Sequence, residues 1–93
     1  MADLAKFRSE IDEIDAKIIE LYERRMAIVK EIATYKIENS LPVLDPSREA
    51  AMLEKNLSKV SNQDYKKYYP SVLLGFLKAS KDMQKELLDE KKE

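Results

Sequence analysis

The sequence predicts an all-α protein of three helices per chain, the first of them very long. Three observations carry this. The 93 residues include one Gly and three Pro, so little interrupts a helix. From about Asp3 to Asn39, large apolar residues recur in threes and fours, the spacing of a helix with one apolar stripe. No segment shows the period-two alternation of a half-buried strand.

The first helix carries its stripe on Leu4, Phe7, Ile11, Ile14, Ile18, Leu21, Arg25, Ile28, Ile32 and Tyr35. At 1.5 Å per residue, its roughly 37 residues span about 55 Å. A compact chain of this length has a radius of gyration of only about 12 Å. The helix therefore outruns its own domain and needs a partner surface, most simply a second copy of itself. It ends near Asn39-Ser40, since Pro42 cannot continue it. The second helix starts at Asp45-Pro46, an N-cap followed by a proline suited to the first helical position. It runs to about Val60, with Leu53, Leu57 and Val60 on one face. Ser61-Asn62-Gln63-Asp64 is a loop and a candidate capping box, Ser61 facing Asp64. The third helix reaches from there to about Glu90. Pro70 either kinks it or marks its true start. Its apolar face is Leu73, Phe76, Leu77, Met83, Leu87 and Leu88. The all-charged tail, Asp89 to Glu93, is expected to fray.

Length and composition bound the function. The chain reads as one small domain, 1–93, with a thin core that oligomerisation would supplement. It has no Cys and no His, so thiolate chemistry, disulfides and the commonest general base and metal ligand are absent. Seventeen Lys and Arg against 18 Asp and Glu leave a net charge of −1, which argues against a nucleic-acid binder. No run approaches the roughly 18 apolar residues of a membrane span, and the charged N-terminus does not read as a signal peptide. A soluble, cytoplasmic protein is the expectation.

Several polar residues occupy positions where the pattern asks for apolar ones. Arg25 holds a slot in the first stripe, and its neighbours at three and four residues are Leu21, Tyr22, Ile28 and Val29, none of them acidic. An unpaired guanidinium there costs several kcal/mol unless an anion meets it. Lys36 follows eleven residues later, about three turns plus 20°, on the same face. Glu49 lies four before Leu53, and Arg48 four before Met52. Ser80 lies between Leu77 and Met83, with Gln84 one turn on. Each has a plain structural reading. Arg25 alone suits a register device in a helical pair, and Glu49 suits the helix dipole. Ser80 alone suits packing, and Gln84, Arg8 and Lys36 suit a solvated flank. Convergence from three helices, with cations in excess, describes a pocket for a small anion better than it describes a core.

Distance adds a constraint. Arg8 and Arg25 are 17 residues apart, about 25 Å along one helix, too far to grip one small molecule. Arg8 and Lys36 are four whole heptads apart. Antiparallel pairing of two first helices about a twofold near Tyr22 would bring Arg8 of one chain beside Lys36 of the other, making two identical sites.

With these residues in view, the chain closely resembles the all-α class of chorismate mutase, from about Leu4 to Gln84. The resemblance rests on Arg8-x-x-Ile11-Asp12-x-Ile14-Asp15, on Asp45-x-x-Arg48-Glu49, and on Ser80-x-x-x-Gln84. It implies an intertwined homodimer and the rearrangement of chorismate to prephenate, on the route to phenylalanine and tyrosine. It implies a site of Arg8 from the partner chain with Arg25, Lys36, Asp45, Arg48, Glu49, Ser80 and Gln84. Lys36, Gln84 and Arg25 would be the catalytic members, with no cofactor and no metal.

That chemistry suits the residues present. A Claisen rearrangement is unimolecular and needs no nucleophile, metal or obligatory proton transfer. Arginines can clamp a flexible dicarboxylate in its reactive shape. Lys36 and Gln84 would donate to the ether oxygen as its bond breaks. Glu49 and the backbone near Asp45 would bind the ring hydroxyl, and Ser80 and Arg48 would support a carboxylate. Two other readings compete: an isochorismate-pyruvate lyase, which shares the fold, and a non-catalytic helical dimerisation module. The intact Asp45-x-x-Arg48-Glu49 pattern favours the mutase over the lyase.

Overall fold

Asp3 opens a single helix of 35 residues, α1 (Leu4–Glu38), in a computed structural model that describes residues 3–92. Its Oδ1 accepts from the backbone N–H of Ala5 at 3.0 Å and of Lys6 at 3.4 Å. The helix closes on a Schellman motif, in which Ser40 N–H donates to Ile37 O and Leu41 N–H to Lys36 O, at 3.2 and 2.8 Å. That closure puts Ser40 in the left-handed region, at φ 55°. Asn39 adds a side-chain donation to Tyr35 O at 2.8 Å.

The second helix, α2 (Pro46–Leu57), starts on the expected Asp45 cap but stops before Val60. Ser58 ends it, donating its hydroxyl to Lys55 O at 2.6 Å. Four helices stand where three are expected. The third is divided into one turn, α3 (Gln63–Lys66), and a long helix, α4 (Tyr69–Lys92). Pro70 is the second residue of α4, where its missing N–H is one that no helix would satisfy. The cap of α3 is Asn62, not Ser61: Asn62 Oδ1 accepts from Asp64 N–H at 2.8 Å, so no Ser61–Asp64 box forms. The tail does not fray over Asp89–Lys92, which continue α4, with the cation Lys91 suiting the helix C-terminus. Glu93 lies outside the described residues.

α4 is the element on which the others pack. It runs parallel to α1: Tyr22 stacks on Phe76 (centroids 6.4 Å apart), Arg25 meets Ser80, and Thr34 and Ile37 lie by Leu87. The core is small, comprising Ala33, Val43, Leu73 and Leu77, with Ser80 the one buried polar side chain among the described residues. α1 contributes Met26, Val29, Ala33 and Ile37 to this seam, a row beside its apolar stripe rather than the stripe itself. The apolar and aromatic members of the stripe stay exposed, from 41% at Ile32 to 62% at Leu21. Every residue from Asp3 to Arg24 is exposed. The result is an elongated body of 59 × 25 × 14 Å with a radius of gyration of 17.0 Å, well above the roughly 12 Å of a compact chain.

Candidate active site

The local structure places the polar residues before any ligand is considered. Arg25 and Lys36 sit three turns apart on α1, and both are half-buried. The Schellman turn sends the chain back along α1, and Val43, 6% exposed, anchors the linker. Asp45, Arg48 and Glu49 then occupy the cap and first turn of α2. Ser80 and Gln84 are one turn apart on the face of α4 that meets α1.

These groups converge on one cavity of about 300 Å³, at the lower bound for small-molecule sites. Seven of the eight residues expected from sequence line it: Arg25, Lys36, Asp45, Arg48, Glu49, Ser80 and Gln84. Arg8 does not. It is exposed on the projecting half of α1, about 25 Å from Arg25 along a continuous helix.

Arg25 is held from two sides. Its Nη1 donates to Ser80 Oγ at 2.6 Å, and its Nη2 lies 3.7 Å from Met52 Sδ. The Ser80 hydroxyl donates its own proton to Phe76 O at 3.0 Å, one turn back. A single hydroxyl hydrogen is thereby used, and the oxygen is left to accept from Arg25. Ser80 thus orients the guanidinium. Among the described residues no carboxylate pairs with Arg25, so its charge is available to an anion.

Asp45 is engaged differently. Its Oδ1 accepts from Ser47 Oγ at 2.8 Å and from Arg48 N–H at 3.2 Å. The Ser47 hydroxyl, then the Arg48 N–H, and then the charges of Lys36 and Arg48 hold this carboxyl below the usual carboxylate range. The side chain is occupied as a cap, so its main service to the cavity is to fix the first turn of α2. Glu49 is half-buried in the wall and pairs with Lys81 Nζ at 3.2 Å.

Sequence reasoning missed the apolar half of the cavity, made by Ile28, Val29, Ile32, Val43, Met52 and Leu77. Ile28, Ile32 and Leu77 were visible as stripe residues, but their role as cavity wall depends on how α2 folds back. Lys81 was also missed. It has no periodic signature, because its partner lies on another helix.

The fold and the cavity define the class of protein: an all-helical one whose small cavity gathers three cations, two carboxylates and two neutral hydrogen-bonding groups. The chain belongs to the chorismate mutase type II family, whose sequence profile matches residues 7–85. It is 33% identical over 89 residues to a chorismate mutase of Methanocaldococcus jannaschii, covering 94% of this chain and 89% of that one. It is 47% identical over 62 residues to a bifunctional chorismate mutase/prephenate dehydratase of Buchnera aphidicola subsp. Schizaphis graminum, covering 64% of this chain and 16% of that protein. A T-protein of Haemophilus influenzae is 39% identical over 54 residues, covering 58% and 14%. The chain thus spans only about one-sixth of the length of the last two relatives. No solved structure gives a significant match.

Proposed function

We propose that this chain rearranges chorismate to prephenate, in phenylalanine and tyrosine biosynthesis, as a homodimer with two shared sites. The observation that carries the reading is the unpaired Arg25 guanidinium, aimed by Ser80 into a cavity that also holds Lys36, Arg48, Glu49 and Gln84. Arg25, Arg48 and the partner chain's Arg8 clamp the two carboxylates, selecting the folded reactive conformer of a flexible substrate. Lys36 and Gln84 donate to the ether oxygen, where negative charge grows in the transition state. Glu49 accepts from the ring hydroxyl. Val43 and Leu77, both buried, give the cavity an apolar wall that strengthens these charges.

The dimer is supported by the exposed stripe of α1. A projecting helix half with Leu4, Phe7, Ile11, Ile14, Ile18 and Leu21 at 47–62% exposure calls for a long apolar partner. An antiparallel second copy meets that need and returns Arg8 to the cavity. The deciding experiment follows the ultraviolet loss of chorismate on adding protein, with isochorismate in parallel and products identified. Prephenate from chorismate is the expected result. Salicylate from isochorismate would make the chain a lyase, and no turnover of either would leave a dimerisation module.

A further inference from the structure

Lys81 lies outside the cavity lining, and nothing in the proposed reaction uses it. It sits on α4 between Ser80 and Gln84 in sequence, and its Nζ reaches across to Glu49 Oε2 on α2 at 3.2 Å. This differs in kind from the other ion pair among the described residues, Lys78–Asp82. That pair joins neighbours on one helix, with side chains 77% and 54% exposed, and its geometry follows from helix spacing alone. The Lys81–Glu49 pair joins two elements, with side chains 38% and 27% exposed, against the wall of the candidate site.

Charge explains why the site needs it. Within one chain the ionisable lining comprises Arg25, Lys36 and Arg48 against Asp45 and Glu49, one net positive charge that the partner's Arg8 in the proposed site would raise to two, against a doubly negative substrate. Asp45 is already flanked by two of those cations. Glu49 is the lining carboxylate that would repel the ligand's carboxylates at close range. A carboxylate can only accept, so it suits a hydroxyl, but it serves a dianion only if its own charge is balanced. Lys81 supplies that balance from outside the cavity lining, as an ion pair to Glu49 Oε2.

We propose that Lys81 is a positioning residue for Glu49: its ammonium fixes the Glu49 carboxylate and cancels its charge, so that the acid receives a hydroxyl of a dianionic substrate without repelling that substrate's carboxylates. The inference rests on the proposed function and deepens it.

The test measures kcat, KM and thermal unfolding for the parent, Lys81→Met, Lys81→Arg, Glu49→Gln and the Lys81→Met/Glu49→Gln double variant, with chorismate as substrate. Lys81→Met should raise KM on the order of 5- to 10-fold with kcat within about 2-fold, the mark of lost uniform binding. Lys81→Arg should bring KM back to within about 2-fold of the parent. In the Glu49→Gln background, Lys81→Met should change KM by less than about 2-fold, because no negative charge remains to be cancelled. Two KM increases that multiply in the double variant would overturn the role, since Lys81 would then act without Glu49. A lower melting temperature with the parent's KM would also overturn it, leaving a structural pair. A parent that does not convert chorismate would overturn the proposed function itself. An active parent with uncoupled variants would overturn only the assignment of Lys81.

Discussion

Arg25 stands where the heptad pattern of α1 calls for a residue such as leucine, and its guanidinium meets a hydroxyl and a thioether instead of a carboxylate. Such a group adds little to stability, because half-burying a charge beside neutral partners recovers only part of its hydration. Arg25→Leu should therefore unfold at the same temperature as the parent or higher. Its turnover efficiency should fall on the order of 10²-fold, in line with other preorganised charge contacts. The pair of measurements is a melting curve and a steady-state assay on the same preparation. Strong destabilisation with activity per folded molecule retained would make Arg25 a structural residue. Its departure from the apolar pattern was legible in the sequence, because a heptad slot is a local property; the face that α1 turns to its own chain was not, since the seam uses Met26, Val29, Ala33 and Ile37 beside the stripe. The Ser80 contact was not, since it depends on the register between two helices 54 or 55 residues apart in the chain.

At the scale of elements, two turns set the cavity. Ser40 adopts φ 55°, a conformation that costs an L-residue about 1–2 kcal/mol and glycine almost nothing. Ser40→Gly should raise stability by about 0.5–1 kcal/mol after the greater freedom of glycine in the unfolded chain is subtracted. Ser40→Val should lower it, and chemical denaturation at equilibrium would measure both. The Asp45 cap has a signature in pH. Because folding lowers the pKa of this carboxyl, its contribution is fully present above the ordinary carboxylate value near 4 and is lost as pH falls through the depressed one. The melting-temperature gap between the parent and Asp45→Ala should hold steady from about pH 5 to 8 and close in stronger acid. A gap that closed near neutrality would mean that the cap is not the ionised Asp45. Asp45-Pro46 was readable because cap and proline chemistry act within one turn. The start of α3 was not, because Ser61 and Asn62 both carry side chains that can cap a helix. Tertiary packing on α4 decides which backbone groups are left to satisfy.

For the molecule as a whole, the long axis of 59 Å and the thin core say that α1 is only half used by its own chain. Mixing an inactive Arg8→Ala chain with an inactive Arg25→Ala chain and allowing exchange should restore part of the activity. One site of each mixed dimer would then hold Arg8 from one chain and Arg25 from the other. No recovery, with exchange demonstrated independently, would refute the shared site. The projection of α1 beyond its own core was legible in the sequence from length, since a helix of about 55 Å outruns the roughly 12 Å radius of gyration of a compact chain this long.

In the proposed homodimer the exposed stripe would also make folding a matter of dose. Residues 4–24 have no core of their own, so the surface that covers them would come from the other chain. For a dimer assembled in this way, each tenfold dilution removes about 1.4 kcal/mol of stability per assembled pair. Specific activity then becomes a function of how much protein is present, and the melting point climbs with concentration. A cell making few copies would hold chains waiting for partners, their N-terminal helices open to proteases until they met.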